Sequence, residues 1–280
     1  MKNKILITGG LGQLGKAFQE RFLKEGIDFC STDKDDFDIS NIDQVQELVK
    51  QTKPGVLVNC AAYNLVDKAE DDPREAFLVN RDGTKNLALL CREKGIFLVH
   101  YGTDYVFDGE SSNLYTEKDV PNPLNQYGIS KLAGEKAVQD ILNDYLIFRV
   151  SWVFGKGKQN FLYKLNSWAQ EKDMLEIADD EISVPTSAYD IVEGTMLAIK
   201  KNLTGLYHMP NTGSCSRYEW AKYFLEKTQK KIKINPVSVE KFNLKARRPK
   251  FSAMSNEKVC RFLGWEMPSW QKAVDQFISC

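Results

Sequence analysis

Histidine and closely spaced cysteine are scarce in this sequence. The 280 residues include two histidines, and the six cysteines contain no C-x-x-C pair. A zinc site needs about four nitrogen or sulfur ligands at short spacing, and a disulfide framework needs cysteines in regular pairs. Neither pattern is present, so we expect reduced thiols, no metal site and a cytoplasmic protein.

Excess charge of one sign and long apolar runs are also missing. The 38 basic and 38 acidic residues cancel, which leaves no electrostatic basis for binding nucleic acid or an anionic membrane. No stretch approaches the roughly 20 apolar residues of a membrane span. The apolar run near the start is shorter than the roughly seven to fifteen residues of a secretory signal. We therefore expect no nucleic acid and no membrane as partner.

Short apolar runs alternate with amphipathic stretches through the first half of the chain. The runs predict strands at residues 4–8, 29–32, 56–59, 96–103 and 145–152. The stretches between them predict helices at residues 13–25, 41–52, 74–94 and 126–142. Near-continuous apolar strands separated by helices indicate a parallel sheet covered on both faces. We predict an α/β protein with a Rossmann-type, doubly wound parallel sheet.

The regular alternation stops after Trp152. The remaining elements are shorter, and the last ninety or so residues are rich in Lys, Pro and Asn. We predict a dinucleotide-binding Rossmann domain at residues 1–152. Residues 153–280 are predicted to form mainly a smaller C-terminal substrate-binding lobe, with some segments returning to the Rossmann domain.

The segment ITGGLGQLG, residues 7–15, fits two glycine fingerprints. Counted from Gly10 it is G-x-G-x-x-G, and counted from Gly9 it is G-x-x-G-x-x-G. A strand, a glycine turn and a helix start together allow the backbone and the helix N-terminus to approach a pyrophosphate. A turn that needs glycine only for tight packing is the alternative.

Asp33 is the predicted partner of this loop. It follows Gly15 by 18 residues, near the end of the second predicted strand, where an acidic residue binds the adenosine ribose. A carboxylate there favours the free 2′-hydroxyl of NADH, whereas the adjacent Lys34 could meet the 2′-phosphate of NADPH. The cofactor is therefore NADPH or NADH, and a solvated turn is the alternative role for Asp33.

Tyr127 and Lys131 are four residues apart on a predicted helix, so their side chains share one face. A lysine ammonium close to a tyrosine lowers the phenol pKa from its usual value near 10 and favours proton transfer. Thr103 ends a predicted parallel strand, at the edge where α/β enzymes place catalytic groups. We predict Thr103, Tyr127 and Lys131 as catalytic residues, against the alternative of a surface pair.

These features, in this order, resemble the extended branch of the short-chain dehydrogenase/reductase superfamily. Further segments narrow the resemblance to the dTDP-4-dehydrorhamnose reductase family, and it runs along the whole chain. The segments are AAYNLVDKAE (61–70), GTDYVFDG (102–109), YGISKLAGE (127–135), RVSWVFG (149–155), VPT (184–186), GLYHMPNTGSCSRYEWA (205–221), ARRPKFS (246–252) and GWEMPSW (264–270). The resemblance implies NAD(P)H-dependent reduction of the 4-keto group of a dTDP-linked 6-deoxy sugar.

The resemblance also implies residue roles. Tyr127 would protonate the developing alkoxide, and Lys131 would hold the nicotinamide ribose. Substrate contacts would come from Thr103, Asp104 and Trp152. Cofactor contacts would come from Gly9, Gly12, Gln13, Leu14, Gly15, Asp33, Asp38, Ile39, Ala61, Ala62, Tyr63, Tyr127 and Lys131. In this register Gly10 is incidental, and alanine is expected to be tolerated there.

Arg248 is predicted to bind the substrate pyrophosphate, because a guanidinium matches phosphate oxygens. A solvated basic loop is the alternative. Three positions depart from the family pattern. Glu181 and Ser183 stand where the family has glutamine and glycine, and Gly102 stands where it has serine. A negative charge at residue 181 is expected to oppose an anionic substrate.

Two other functions remain open. A regulatory subunit of methionine adenosyltransferase shares this type of fold and would bind dinucleotide and a partner enzyme without turnover. A sugar-nucleotide dehydratase or epimerase is disfavoured, because dehydratases carry Asp-Glu where this chain has Asp104 and Tyr105. The expected partner is a nucleotide-sugar substrate, and a homodimer is left open.

Overall fold

A computed structural model describes residues 4–35 and 37–279 of the chain. Six strands form one sheet in which every neighbouring pair runs parallel. Their spatial order is β10 (Gly205–His208), β5 (Tyr145–Val150), β4 (Phe97–Thr103), β3 (Val56–Asn59), β1 (Ile5–Thr8) and β2 (Phe29–Thr32). The chain runs from β1 outward to β2 and then back to β3, so the switch point lies between β1 and β3. The predicted doubly wound α/β fold is confirmed.

Two apolar layers cover this sheet. Ile5 and Ile7 of β1 pack with one cluster, and Leu6 packs with the other, because successive side chains of a strand point to opposite faces. The first layer includes residues of helices α1 (Gln13–Glu25) and α8 (Ala188–Lys200). The second includes residues of α2 (Ile42–Thr52), α5 (Thr84–Lys94) and α6 (Gln126–Ile141).

The predicted helix over residues 74–94 is confirmed, and it contains a π-helical turn. It comprises α4 (Pro73–Phe77), the π-helical turn (Leu78–Gly83) and α5, and the short helix α3 (Val66–Asp71) precedes it. Asp72 caps α4 by accepting a hydrogen bond from Arg74 N, and Pro73 occupies the first helical position. The wider π turn carries Asn80, a buried residue whose side chain bonds other segments. Such turns are frequent at functional sites.

The C-terminal half builds a smaller lobe around its own apolar cluster, which includes Phe154 and Trp220. Its short strands pair as β6 (Val153–Phe154) with β9 (Thr186–Ser187), β7 (Met174–Ala178) with β12 (Lys233–Val237), and β8 (Ile182–Ser183) with β11 (Cys215–Ser216). Its helices are α7 (Phe161–Glu171), α9 (Arg217–Lys227) and α11 (Trp270–Ser279). Helix α10 (Glu257–Leu263) instead packs Val259 and Leu263 into the first layer of the main sheet. Across residues 4–35 and 37–279, no helix is long and apolar enough to cross a membrane.

A buried ion pair joins α6 to β5. Arg149 Nη2 lies 2.8 Å from Glu135 Oε2, with the two side chains 5% and 1% exposed. Arg149 Nε donates a second hydrogen bond to the same carboxylate at 3.0 Å. A Cβ at Gly102 would overlap Glu135 Oε1 and lie 3.1 Å from Arg149 Cγ. A side chain at residue 102 would therefore have to displace the Glu135 carboxylate from its present position.

Glu135→Gln tests how much the Glu135–Arg149 ion pair contributes to the stability of the fold. The change leaves the Arg149 guanidinium buried beside a neutral partner, so we expect the free energy of unfolding to fall by about 3–5 kcal/mol. Urea unfolding followed by circular dichroism measures it. The control is Glu257→Gln in the Glu257–Arg261 pair, whose side chains are each 75% exposed, and little change is expected there. Equal losses in both variants would contradict a dominant role for the buried pair.

Candidate active site

The glycine loop lies at the switch point, between the end of β1 and the start of α1. Gly10 N donates to Thr32 O at 2.9 Å, which holds the loop against β2. Leu11 N donates to Asp33 Oδ2 at 2.7 Å. The loop and Asp33 are therefore in direct contact, as their predicted shared role requires.

The glycines of the loop are required for different reasons. Gly9 has a φ of 69°, and a Cβ there would lie 2.6 Å from Ala61 N. A Cβ at Gly15 would overlap Gly9 O and lie 2.7 Å from Gly10 Cα. At Gly12 a Cβ would meet only Gly9 O, at 3.2 Å. Packing against neighbouring backbone atoms therefore explains why residues 9 and 15 are glycine. It does not explain Gly12, beside which there is space.

Gly12 is also the N-cap of α1 and contributes no side-chain hydrogen bond to the first turn. The N–H groups of that turn are thus not capped by their own N-cap residue, and the helix dipole favours an anion there. An open glycine backbone at a helix N-terminus fits the pyrophosphate of a dinucleotide. These residues would hold that group.

The expectation that alanine is tolerated at Gly10 stays a prediction, and the structure shows what a side chain there would meet. Gly10 is buried, and a Cβ there would overlap the Ser31 hydroxyl and lie 3.3 Å from Gln19 Nε2. Alanine at this position therefore requires Ser31 to change its rotamer. The sequence could not show this, because Ser31 lies on the neighbouring strand.

Variants of Gly12 and Gly15 distinguish a glycine that leaves room for the dinucleotide from a glycine that backbone packing requires. We expect Gly15→Ala to lower the melting temperature, because its Cβ meets backbone atoms that cannot move aside. Gly12→Val is expected to fold with a near-normal melting temperature and to lose dinucleotide affinity by at least about tenfold, because its side chain fills the space beside the helix N-terminus. Thermal melts and titrations with NADPH and NADH measure the two effects. Wild-type affinity in folded Gly12→Val would contradict the assignment.

Thr103, Tyr127 and Lys131 come together at the carboxyl end of β4. Thr103 is the last residue of that strand and is 6% exposed. Tyr127 and Lys131 project from α6, whose N-cap Asn125 accepts a hydrogen bond from Gly128 N at 2.8 Å. Lys131 Nζ is buried and donates to Tyr101 O at 2.6 Å. The predicted trio therefore shares one edge of the sheet.

The acidity of Tyr127 differs from the expectation. Burial raises the pKa of Tyr127 to about 12, and a side-chain hydrogen bond with Thr103 opposes the rise. Burial also lowers the pKa of Lys131 to about 8, against the charge of Glu135. The predicted lowering of the tyrosine pKa by Lys131 is thus wrong for this arrangement, in which the ammonium bonds a backbone carbonyl. At neutral pH Tyr127 is in its acid form, which is the form that can donate a proton.

Asn80 connects the predicted cofactor side to the helix of Tyr127. Its amide accepts from Tyr63 N at 2.9 Å and donates to Ser130 Oγ at 2.9 Å. Ser130 Oγ in turn donates to Tyr127 O at 2.8 Å. Sequence reasoning missed this residue, because the π turn that directs it inward was expected to be ordinary helix.

The other predicted cofactor residues lie along the ends of β2 and β3 and the start of α1. Asp38 is exposed and accepts from Ser40 N at 2.8 Å, whereas Ile39 is buried. Gln13 Oε1 accepts from Asn160 Nδ2 at 3.0 Å, which links α1 to the lobe. Leu14, Ala61, Ala62 and Tyr63 are half-buried. Within the described ranges no three His, Cys, Asp or Glu residues are grouped to hold a metal ion.

Asp104 is turned inward. It is 2% exposed, and its Oδ2 accepts hydrogen bonds from Ser183 Oγ at 2.8 Å and Ser252 Oγ at 2.6 Å. Burial raises the pKa of this carboxyl, and the hydroxyl donors oppose the rise. The predicted substrate contact therefore also ties the end of β4 to the lobe. Ser183, where the family has glycine, supplies one of these bonds.

Trp152 lies beside this junction in a left-handed conformation, with a φ of 40°. Its ring stacks on Trp220 with centroids 5.8 Å apart. The Arg217 guanidinium carbon lies 3.6 Å from the centroid of the Trp152 ring. Sequence reasoning placed Arg217 inside a matching segment but gave it no role.

Glu181 does not face the site as a free negative charge. It is 8% exposed, with Arg248 Nε 3.7 Å from its Oε1 and Arg217 Nε 4.0 Å from its Oε2. Burial raises the pKa of Glu181, and the two arginines oppose the rise. The expected conflict with an anionic substrate is therefore reduced by the paired arginines.

Arg248, the predicted pyrophosphate ligand, has several partners of its own. Its Nη2 and Nη1 donate to the two carboxylate oxygens of Asp67 at 2.7 and 3.1 Å. Nη1 also donates to Ala246 O at 2.8 Å. Binding a phosphate through these donors would require Arg248 to leave Asp67.

The fold and the site define a class. A doubly wound sheet with a glycine loop at its switch point, and with threonine, tyrosine and lysine at a neighbouring strand end, is the arrangement of a short-chain dehydrogenase/reductase. The family described as RmlD substrate binding domain matches residues 2–280.

Named relatives narrow the class. The chain is 35% identical to the dTDP-4-dehydrorhamnose reductase of Escherichia coli K12 over 290 residues, covering 98% of this chain and 97% of that protein. It is 35% identical to a dTDP-4-keto-6-deoxy-D-glucose reductase of Streptomyces niveus over 225 residues, covering 79% of this chain and 77% of that protein. The structure of dTDP-4-dehydrorhamnose reductase from Bacillus anthracis in complex with NADP matches with a TM-score of 0.96 and 38% identity, covering 100% of this chain and 99% of that one. The protein belongs to the dTDP-4-dehydrorhamnose reductase family.

Proposed function

We propose that this protein reduces the 4-keto group of dTDP-4-dehydro-L-rhamnose to give dTDP-L-rhamnose, with NADPH or NADH as the reductant. The observation that carries the proposal is the meeting of Thr103, Tyr127 and Lys131 at the end of β4, next to the glycine loop. The similarity to the Escherichia coli reductase along 98% of the chain supports the choice of sugar.

The bound cofactor would supply a hydride to the carbonyl carbon. Tyr127 Oη would give its proton to the carbonyl oxygen as negative charge develops there, and the Thr103 hydroxyl would orient that oxygen by hydrogen bonding. The raised pKa of Tyr127 keeps the proton on the phenol until the alkoxide forms. Lys131 would bind the nicotinamide ribose. Glycine-loop N–H groups would hold the cofactor pyrophosphate.

The preference between NADPH and NADH depends on the end of β2. Both oxygens of Asp33 accept backbone hydrogen bonds, from Leu11 N at 2.7 Å and Lys34 N at 2.8 Å. Lys34 is exposed beside it and is placed to meet a 2′-phosphate. The complex of the Bacillus anthracis relative contains NADP. We therefore include both cofactors in the test.

The substrate test uses the purified protein with dTDP-4-dehydro-L-rhamnose and dTDP-4-keto-6-deoxy-D-glucose, each with NADPH and NADH. We expect oxidation of the reduced nicotinamide with the first sugar, and product analysis should show dTDP-L-rhamnose. Faster turnover of the second sugar would reassign the substrate to that of the Streptomyces niveus relative. No oxidation with either sugar would overturn the enzyme proposal and favour a regulatory subunit.

Tyr127→Phe tests the proton donor. The change removes only the hydroxyl, so we expect kcat to fall by about 10²- to 10⁴-fold with unchanged dinucleotide affinity. Steady-state kinetics and a cofactor titration measure the two quantities. The control is Tyr189→Phe, which removes a hydroxyl that bonds Glu20 at 3.0 Å outside the site. Near-normal turnover in Tyr127→Phe would show that another group donates the proton.

A further inference from the structure

We propose that Arg217 is a further substrate-binding residue, that it contacts the diphosphate of the nucleotide-linked sugar, and that Glu181 is the positioning residue that holds it. The inference rests on the proposed function, because the ligand is the substrate named there. It moves the principal anion contact from Arg248 to an arginine that sequence reasoning left unassigned.

The first argument is the bonding state of Arg217. Its side chain is 22% exposed, and its only ion-pair partner in the described part of the chain is Glu181, at 4.0 Å. Across the same residues its guanidinium donates no hydrogen bond within 3.5 Å. A guanidinium has five N–H donors, and no Arg217 nitrogen is among the buried side-chain atoms that lack a partner in the described residues. The Arg217 donors are therefore accessible and uncommitted, and a ligand with charged oxygens can accept from them.

The second argument is the contrast with Arg248. Both terminal nitrogens of Arg248 donate to the carboxylate of Asp67, at 2.7 and 3.1 Å, and one of them also donates to a backbone carbonyl. Arg217 has none of these bonds. Of the two arginines beside Glu181, Arg217 therefore has donors to offer without breaking an existing pair.

The third argument is position. The Arg217 guanidinium carbon lies 3.6 Å from the centroid of Trp152, a residue predicted to contact the substrate. Arg217 also acts on Asp104, where its charge opposes the raised pKa of the carboxyl. A sugar that contacts Trp152 therefore brings its attached diphosphate near Arg217. The diphosphate is the only charged group of a dTDP-linked neutral sugar.

Glu181 has a defined part in this arrangement. A half-buried cation is stabilised by a nearby negative charge, and Glu181 supplies it from 4.0 Å without forming a close hydrogen bond. The guanidinium is thus held on the Trp152 ring with its donors free. Glutamine, the family's residue at this position, would keep the shape and lose the charge.

Calorimetric binding to the full-length protein tests the contact, with dTDP and thymidine as probes. We expect Arg217→Gln to weaken dTDP binding by about 10- to 100-fold, the range of a charge-assisted contact. Thymidine carries no phosphate, so its affinity should not change, and neither should that of NADPH. The KM for the dTDP-linked sugar should rise by a similar factor. Arg92→Gln removes an exposed arginine from α5 and serves as the matched charge control.

A double-mutant cycle tests Glu181 as a positioning residue. We expect Glu181→Gln to weaken dTDP binding severalfold in the wild-type background and to have no such effect when Arg217 is already glutamine. Arg217→Lys keeps the charge without the planar fork and should recover part of the affinity. If Arg217→Gln fails to fold, the lysine variant and Glu181→Gln still measure the contact.

The outcomes separate this inference from the proposed function. Equal loss of dTDP and thymidine binding in Arg217→Gln would show a packing role on Trp152 and overturn the inference. Unchanged dTDP affinity would overturn it as well, while wild-type turnover of the sugar would leave the proposed function intact. Absence of both dTDP binding and turnover in the wild-type protein would overturn the two proposals together.

Discussion

The buried pair of Glu135 and Arg149 links the elements that carry the site. Glu135 lies on α6, four and eight residues after Lys131 and Tyr127, so the three side chains follow one face of the helix. Arg149 lies on β5, and the pair leaves no room for a Cβ at Gly102, the residue before Thr103. Removing one partner from a buried ion pair costs far more than separating an exposed one. The pair therefore attaches α6, which carries the tyrosine and the lysine, to β5, the strand beside that of Thr103.

A second set of contacts closes the site from the lobe. Asp104 is held by the hydroxyls of Ser183 and Ser252, which come from distant parts of the C-terminal half. Arg248 bonds Asp67 across the same boundary. The predicted substrate residues thus lie between the edge of the large sheet and the lobe. Both parts contribute side chains, because β4 and α6 carry Thr103 and Tyr127 and the lobe supplies Glu181 and Arg217.

The departures from the family pattern have physical reasons. Gly102 makes room for the carboxylate of Glu135, and the Ser183 hydroxyl bonds Asp104. Glu181 lies between two guanidinium groups, so its charge is balanced by Arg217 and Arg248. Each change is compatible with the same overall site. The last adds a negative charge beside Arg217, whose guanidinium lies on the Trp152 ring.

Local patterns in the sequence determined the strand and helix order of the first half, the glycine loop after β1, and the shared face of Tyr127 and Lys131. These follow from side-chain periodicity and from i, i+4 geometry, which need no distant contact. Only the tertiary structure decided the π turn at Asn80, the raised pKa of Tyr127 and the free donors of Arg217. Each depends on residues far apart in the chain and on exclusion of water, which no local pattern encodes.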